Sequence, residues 1–200
     1  MKKATSKPTT ARRRAAETRE HVLDVAHERF YWQGIRATGV DRIAAEAGVA
    51  PTALYRLFPS KDALVAAYVE RAEQRYQQWF DGATKNDGRT AAARILALFE
   101  ALSERVRPEV CRGCPFQMAL TELPDDQLDA HRASVRLKDW VRGRFKRLAK
   151  EHAATRRAPI DAALLADHLI LIFEGVYASV QALGANGPAK RAAQLVAGLL

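Results

Sequence analysis

The chain has 200 residues, of which 48% are hydrophobic and 28% charged, and its 32 basic and 23 acidic side chains give a formal net charge of +9. This composition is that of an ordinary globular protein, long enough to bury a core as one large domain or two small ones. The basic balance favours an anionic partner, although plain solubility would explain the charge equally well.

Signals for export or membrane insertion are absent from the sequence. No run approaches the roughly 20 apolar residues of a membrane helix, and no apolar segment follows Lys2 and Lys3 as it would in a signal peptide. The 2 cysteines are too few for the disulfide framework of a secreted protein. We therefore predict a cytoplasmic protein with no membrane partner.

Residues 1–11 are rich in Lys, Thr, Ser and Pro, a composition that predicts a disordered basic arm. Up to Arg19 the only acidic residue is Glu17, and the basic residues are Lys2, Lys3, Lys7, Arg12, Arg13, Arg14 and Arg19. Ahead of a DNA-binding domain, such an arm would suit phosphate or minor-groove contacts. A solubilising tail would have the same composition, and both interpretations stay open.

Two short helices joined by a tight turn are predicted near the middle of the N-terminal third. Thr38, with Asp41 three residues later, has capping-box spacing and predicts a helix over about residues 39–47. Gly48 allows the turn, and Pro51 suits the first turn of the next helix. This arrangement is a helix-turn-helix, whose second helix lies in the DNA major groove.

Apolar residues at helical spacing predict helices throughout the rest of the chain, and no alternating strand pattern is found. With the two short helices they make an all-α chain of about nine helices. The other segments cover about residues 13–33, 60–80, 90–106, 115–121, 125–152, 162–183 and a last helix ending at Leu200.

The helix predicted over residues 162–183 is apolar nearly all round between Leu169 and Val180. Such a helix must be covered on more than one side. A partner subunit would cover it and the last helix through a four-helix interface, so we predict a homodimer. The alternative is that the two helices fill the core of their own subunit.

The order and spacing of residues around the helix-turn-helix resemble the N-terminal domain of the TetR (tetracycline-repressor) family. The matching residues are Thr38, Asp41, Ile43, Ala44, Ala47, Gly48, Val49, Leu54, Tyr55, Phe58, Pro59, Ser60, Lys61 and Leu64. The resemblance spans roughly Arg14 to Val69. It implies a DNA-binding domain over residues 12–69, and an effector-binding and dimerisation domain over residues 70–200 that dimerises through its last two helices.

Candidate DNA contacts follow from the pattern and the resemblance together. Thr52, Tyr55 and Arg56 can read bases, and the resemblance implies phosphate contacts from Thr38 and Lys61. The full predicted set is Thr38, Gly39, Val40, Pro51, Thr52, Ala53, Tyr55, Arg56 and Lys61. Where the family usually has Ser-Lys-Gly-Thr after Val49, this chain has Ala-Pro-Thr-Ala, so the operator of better-known relatives cannot be transferred.

Cys111 and Cys114 have the spacing of a metal knuckle or a dithiol switch. A structural zinc site needs four ligands, and no second pair lies at usable spacing. Cys114 just ahead of a predicted helix could be a reactive thiol. Packing beside an effector pocket is the other interpretation, and the resemblance supports it.

The C-terminal domain is predicted to bind a small-molecule effector, as the resemblance implies. The candidate pocket residues are Phe99, Phe116, Met118, Trp140, His168 and Tyr177. Each of them alone could equally be ordinary core.

The sequence contains no credible catalytic set, phosphate-binding glycine loop or metal-ligand cluster, so we predict neither an enzyme nor a cofactor. We expect a ligand-responsive repressor that binds a palindromic operator in double-stranded DNA as a dimer. The alternatives are a redox-sensing DNA-binding regulator that uses Cys111 and Cys114, and a non-specific architectural DNA-binding protein.

Overall fold

The computed structural model describes residues 10–200, with side chains from Arg14 onward. Within this range the chain is helical and forms no strand, which confirms the predicted all-α class. Residues 1–9 of the predicted basic arm lie outside the described range, whereas residues 10 and 11 already belong to the first helix.

The described residues form nine α-helices, and two short 3-10 helices, Gly184–Asn186 and Pro188–Arg191, precede the last of them. The α-helices are α1 Thr10–Gln33, α2 Val40–Glu46, α3 Pro51–Leu57, α4 Lys61–Ala83, α5 Ala91–Arg105, α6 Pro115–Glu122, α7 Asp129–Ala153, α8 Ala162–Leu183 and α9 Ala192–Ala197. Helix α7 begins later than predicted because the preceding residues form a turn, in which the Gln127 N–H donates to Oδ1 of Asp125 at 2.9 Å.

The chain divides into two compact units, the first ending at Tyr68 and the second spanning Val69–Leu200. In the first unit, Leu23, Ile43 and Leu54 have no exposed surface and come from three different helices. Burial of each such side chain contributes about 1.5–3 kcal/mol. This shared core stabilises α2 and α3, which are too short to be stable alone.

Thr38 does not cap α2, so the predicted capping box is wrong. Gly39 is the N-cap residue, and no side chain caps it. Thr38 lies one residue earlier, fully buried, and its hydroxyl donates to the carbonyl of Gly34 at 2.8 Å. Thr38 therefore closes the turn between α1 and α2.

The second unit is built around an aromatic core. Phe173 of α8 lies 5.3 Å from Phe145, 5.8 Å from Phe99 and 6.2 Å from Phe80, measured between ring centroids. The steep angles between these rings are the edge-to-face arrangement that aromatic pairs prefer. Helices α4, α5, α7 and α8 are joined through this cluster.

The opposite face of α8 is apolar and exposed. Leu171 is 70% exposed and Leu164 is 53% exposed. By length and composition the segment Ala162–Asn186 is long and apolar enough to cross a membrane, contrary to the prediction from the sequence, but a core helix of a soluble protein passes the same test. This face lacks a cover within the described part of the chain.

Candidate nucleic-acid interface and ligand cavity

Helix α3 presents polar side chains on one side and anchors itself with apolar side chains on the other. Thr52 and Arg56 are exposed, and Tyr55 is 46% exposed. Leu54 and Phe58, at the end of the helix, are buried. The exposed residues therefore lie largely outside the core, and the burial of Leu54 and Phe58 fixes the helix that carries them.

The other predicted DNA contacts lie around α3 with different exposures. Gly39 and Pro51 are exposed, whereas Val40 and Ala53 are half-buried. The ammonium group of Lys61 donates to the carbonyl of Arg36 at 3.3 Å, which holds Lys61 at the start of α4.

Thr38 is the exception among the predicted contacts. Its side chain has no exposed surface, and its hydroxyl is bonded to Gly34. The side chain of Thr38 therefore cannot reach a phosphate in this conformation. Its role is to fix the turn that leads into α2.

An ion pair between Arg29 and Glu46 connects α1 to α2 beside this surface. Glu46 at the end of α2 accepts hydrogen bonds from Arg29 of α1 and from Arg42, the latter at 3.0 Å. Hydrogen bonds from Arg42 and Arg29 lower the pKa of Glu46 below its ordinary value of 4.5. The spacing of Arg42 and Glu46 is visible in the sequence. The contact between Glu46 and Arg29, which lies 17 residues away, could not be predicted from the sequence.

The six predicted pocket residues lie in different surroundings. Phe99 is buried in the aromatic core, and Phe116 is buried against Tyr76 with ring centroids 5.5 Å apart. Trp140 packs against Phe80 with ring centroids 5.3 Å apart. His168 is half-buried on α8. Met118 and Tyr177 alone among the six line a cavity of about 220 Å³, which we call the thiol cavity.

The thiol cavity lies among the loop before α6, α6 itself and α8. Its walls are Arg112, Cys114, Gln117, Met118, Thr121, Glu122, Glu174, Tyr177, Ala178 and Gln181. Both polar and apolar side chains are present, as in most small-molecule sites. Its volume suits a small metabolite better than a drug-sized ligand.

A lysine that the sequence analysis missed lies behind the wall of this cavity. The Lys138 ammonium group donates to Oε2 of Glu174 at 2.5 Å and to Sγ of Cys114 at 3.5 Å. Lys138 directly follows Leu137, which belongs to the buried face of α7. This position beside the buried face was the one feature of the sequence that could have indicated Lys138. A thiol, an ammonium group and a carboxylate thus meet at one place.

The electrostatics of this group follow from burial and from the ion pair. Burial raises the pKa of the Cys114 thiol, and the positive charge of Lys138 opposes that rise. Burial lowers the pKa of Lys138, but its interactions with Cys114 and Glu174 outweigh burial and raise the pKa overall. Lys138 is therefore an ammonium group at neutral pH.

Cys111 and Cys114 are both buried and both reduced. The Cys111 thiol donates to the carbonyl of Gly113 at 3.8 Å, whereas the Cys114 sulfur lies beside Lys138. The two thiols therefore differ in surroundings although they are similar in exposure. Among residues 14–200, no three His, Cys, Asp or Glu side chains are grouped as metal ligands.

A larger groove of about 850 Å³ runs along the exposed side of α8. Its walls are Ile172, Gly175, Val176, Ser179, Pro188, Ala189, Arg191, Ala192, Gln194, Leu195 and Gly198. Most of these residues are apolar or small, so the groove continues the exposed apolar face of α8 toward α9.

Two family models match the chain, one in each unit. The model described as bacterial regulatory proteins, tetR family, matches residues 22–68. The model described as the tetracyclin repressor-like C-terminal domain matches residues 91–196, more than half of the chain.

Relatives and solved structures agree with these models. The HTH-type transcriptional regulator YjdC of Escherichia coli K12 is 28% identical over 157 residues, which cover 78% of this chain and 80% of YjdC. A TetR-family transcriptional regulator from Streptomyces coelicolor superposes with a TM-score of 0.84 at 27% identity, over 92% of this chain and 94% of that one. A TetR transcriptional regulator from Chloroflexus aurantiacus gives a TM-score of 0.78 at 25% identity, over 93% and 95%.

Proposed function

Since this chain belongs to the TetR family of DNA-binding transcriptional regulators, we propose that it is a cytoplasmic, ligand-responsive repressor of a palindromic operator. The observation that carries this proposal is the exposed edge of α3, formed by Thr52, Tyr55 and Arg56. An α-helix fits the major groove, where side chains of these types can bond to base edges or touch the thymine methyl group.

Phosphate contacts would orient this edge on the duplex. Lys61 and the backbone around Gly39 and Pro51 lie near α3 in sequence and are at least partly exposed. Contacts of this kind supply affinity that falls as salt rises, whereas the three α3 side chains supply specificity.

The exposed apolar face of α8 supports the dimer. Leu171 is 70% exposed, and the groove toward α9 adds Leu195 at 56%. Covering such a face with the same face of a second copy gives a closed two-fold interface. A two-fold dimer binds two half-sites about 34–36 Å apart, or multiples of that distance, which explains a palindromic operator.

A small molecule in the second unit would release the operator. Met118 and Tyr177 line the thiol cavity, and α4 continues from the first unit into the second. A ligand that binds one dimer conformation more tightly shifts the population toward that conformation. Release follows if the favoured conformation has the lower operator affinity.

Footprinting of the purified protein on DNA upstream of its own and neighbouring genes tests the proposal. We expect a protected inverted repeat that competes with random DNA at moderate salt. The Arg56→Ala variant should lose protection and still elute as a dimer in gel filtration. Equal protection of every sequence would instead support a non-specific architectural protein.

A further inference from the structure

The second unit contains a further pocket that shares no wall residue with the thiol cavity or with the groove along α8. It has a volume of about 290 Å³, and we call it the arginine pocket. Its walls are Phe80, Asp81, Thr84, Lys85, Asn86, Arg94, Arg144, Arg147, Leu148 and Glu151. These residues come from the end of α4, from the turn that follows it, and from α5 and α7.

Positive charge is in excess on the walls of this pocket. Three arginines and one lysine line it together with only two carboxylates, those of Asp81 and Glu151, which leaves a formal charge of +2. Lys85 and Arg147 are both exposed, and within residues 14–200 neither of them forms an ion pair. A nearby negative charge stabilises such cations. The walls are therefore suited to an anion.

The two other arginines are held in place by the protein. Nη1 of Arg94 donates to Oε2 of Glu151 at 2.6 Å, and Nε of Arg94 donates to the carbonyl of Thr84 at 2.9 Å. Nη2 of Arg144 donates to Oδ1 of Asp81. These contacts orient both guanidinium groups before any ligand binds. Such preorganisation reduces the entropy that binding costs.

The protein does not satisfy every donor of Arg144. Its guanidinium carbon lies 4.7 Å from the centroid of the Trp140 ring, and Asp81 accepts from one terminal nitrogen. Nε is buried and, in the part of the chain that the structure describes, has no hydrogen bond. A buried donor without a partner costs free energy. Because the side chain as a whole is 24% exposed, a small rotation can turn an unused donor toward a ligand.

The size and the other walls of the pocket exclude a large apolar ligand. Phe80 and Leu148 are the two apolar wall residues, and both are buried, so a ligand would meet mainly charged and amide groups. The volume lies at the lower end of the range of ligand pockets, which is about 300–1,000 Å³. A polar ligand with few heavy atoms fits these limits.

We infer that the arginine pocket binds a small dianion, either the phosphate group of a metabolite or a dicarboxylate. Two negative charges match the excess charge of the walls. Guanidinium groups present paired donors that fit the oxygens of phosphates and carboxylates equally well. Lys85 and Arg147 supply the unpaired charges, and Arg144 supplies unused hydrogen-bond capacity. This inference goes beyond the proposed function, because such binding requires neither DNA nor an effector in the thiol cavity.

A dianion bound here would also connect three helices. Arg144 and Arg147 belong to α7, Arg94 belongs to α5, and Lys85 follows the end of α4. A ligand that binds the folded protein and not the unfolded chain stabilises the fold in proportion to its occupancy. Binding should therefore raise the thermal midpoint of the protein.

Isothermal titration calorimetry of the full-length protein tests the inference. The probes are inorganic phosphate and succinate, with uncharged succinamide as the control, at about 0.15 M sodium chloride to screen weak surface attraction. We expect saturable binding of one dianion per chain and no binding of succinamide. Binding of phosphate alone would identify a phosphate site, and binding of succinate alone a dicarboxylate site. If neither dianion binds, the inference is wrong.

Three variants distinguish the pocket from the general charge of the protein. Lys85→Ala and Arg147→Ala each remove an exposed cation that has no ion pair, so the fold should persist, and each should raise the Kd for the dianion about tenfold. Arg142→Ala is the matched control, because Arg142 is exposed on the same helix but does not line the pocket. Its Kd should stay within about twofold of the native value. Equal weakening by Arg142→Ala and Arg147→Ala would overturn the inference.

Thermal unfolding gives a second measurement on the same proteins. At one concentration of dianion, the midpoint should rise in the native protein and in Arg142→Ala, and rise less in Arg147→Ala and Lys85→Ala. The same rise in all four proteins would place the bound anion outside the arginine pocket. No DNA is present in either experiment, so these results and those of footprinting can fail independently.

Discussion

The two units of the chain place their candidate functional side chains in opposite ways. In the first unit, Thr52, Tyr55 and Arg56 lie outside a small apolar core. In the second, Cys114 and Tyr177 lie inside the packing of the helices. Substitutions on the α3 surface should therefore change DNA binding and leave the fold intact, whereas substitutions around the cavity should change ligand chemistry and stability together.

The largest expected effect is on the aromatic core that supports the cavity. Phe173→Ala should reduce the free energy of unfolding by about 3–5 kcal/mol, the usual cost of removing a buried aromatic ring. Phe173 packs against Phe80, Phe99 and Phe145 and also against Tyr177 of the cavity. Urea unfolding followed by circular dichroism measures the loss. A cost below about 1 kcal/mol would show that this core is not packed as described.

Arg56→Ala in the first unit should weaken DNA binding and leave stability unchanged, whereas Phe173→Ala mainly reduces stability. Loss of one base contact should weaken operator binding by about 1–3 kcal/mol, or roughly tenfold to more than a hundredfold. Because Arg56 is exposed, the free energy of unfolding should stay within about 0.5 kcal/mol of the native value. Fluorescence anisotropy with operator and random duplexes measures both affinities. An equal loss on both duplexes would indicate a phosphate contact instead of base recognition.

Gly113→Ala tests the backbone beside the cavity. Gly113 has a φ of +141°, and a Cβ there would lie 2.8 Å from Oε1 of Gln181. We expect a loss of stability of about 1–2 kcal/mol, because the Gln181 side chain can rotate away and the backbone strain remains. The thermal midpoint measures the change.

Gly143→Ala is the matched control for that substitution. Gly143 lies within α7, and a Cβ there would have nothing within 4 Å. Alanine should stabilise this helix by roughly 0.5–1 kcal/mol. Equal changes of the thermal midpoint in the two variants would mean that the positive φ of Gly113 imposes no strain on an alanine at that position.

The smallest expected effect is a pH dependence in the first unit. The folded-state pKa of Glu46 is lowered, so its ion pairs stabilise the fold above the ordinary pKa of 4.5 and lose this effect as pH falls through the lowered value. The native protein should have a slightly higher thermal midpoint than Glu46→Gln at pH 7, and the difference should vanish in acid. A constant difference across this range would show that the carboxylate charge is not responsible.

Features that depend on neighbours along the chain were predictable. Helix positions followed from apolar spacing, and the turn at Gly48 was recognised from the glycine itself, which adopts a φ of +63°. Thr38 was misassigned because a threonine that caps a helix and one that closes the preceding turn have the same sequence spacing. Only its burial and its bond to Gly34 distinguish them.

The sequence by itself determined the helical class and the place of the helix-turn-helix, because local periodicity and turn chemistry depend on residues a few positions apart. The cavity depended on tertiary structure. Lys138 is 24 residues from Cys114 and 36 from Glu174, and the packing of α7 against both α6 and α8 brings the three together. Aromatic residues looked alike in the sequence, but burial assigned Phe99 and Phe116 to the core, whereas Tyr177 lines the cavity.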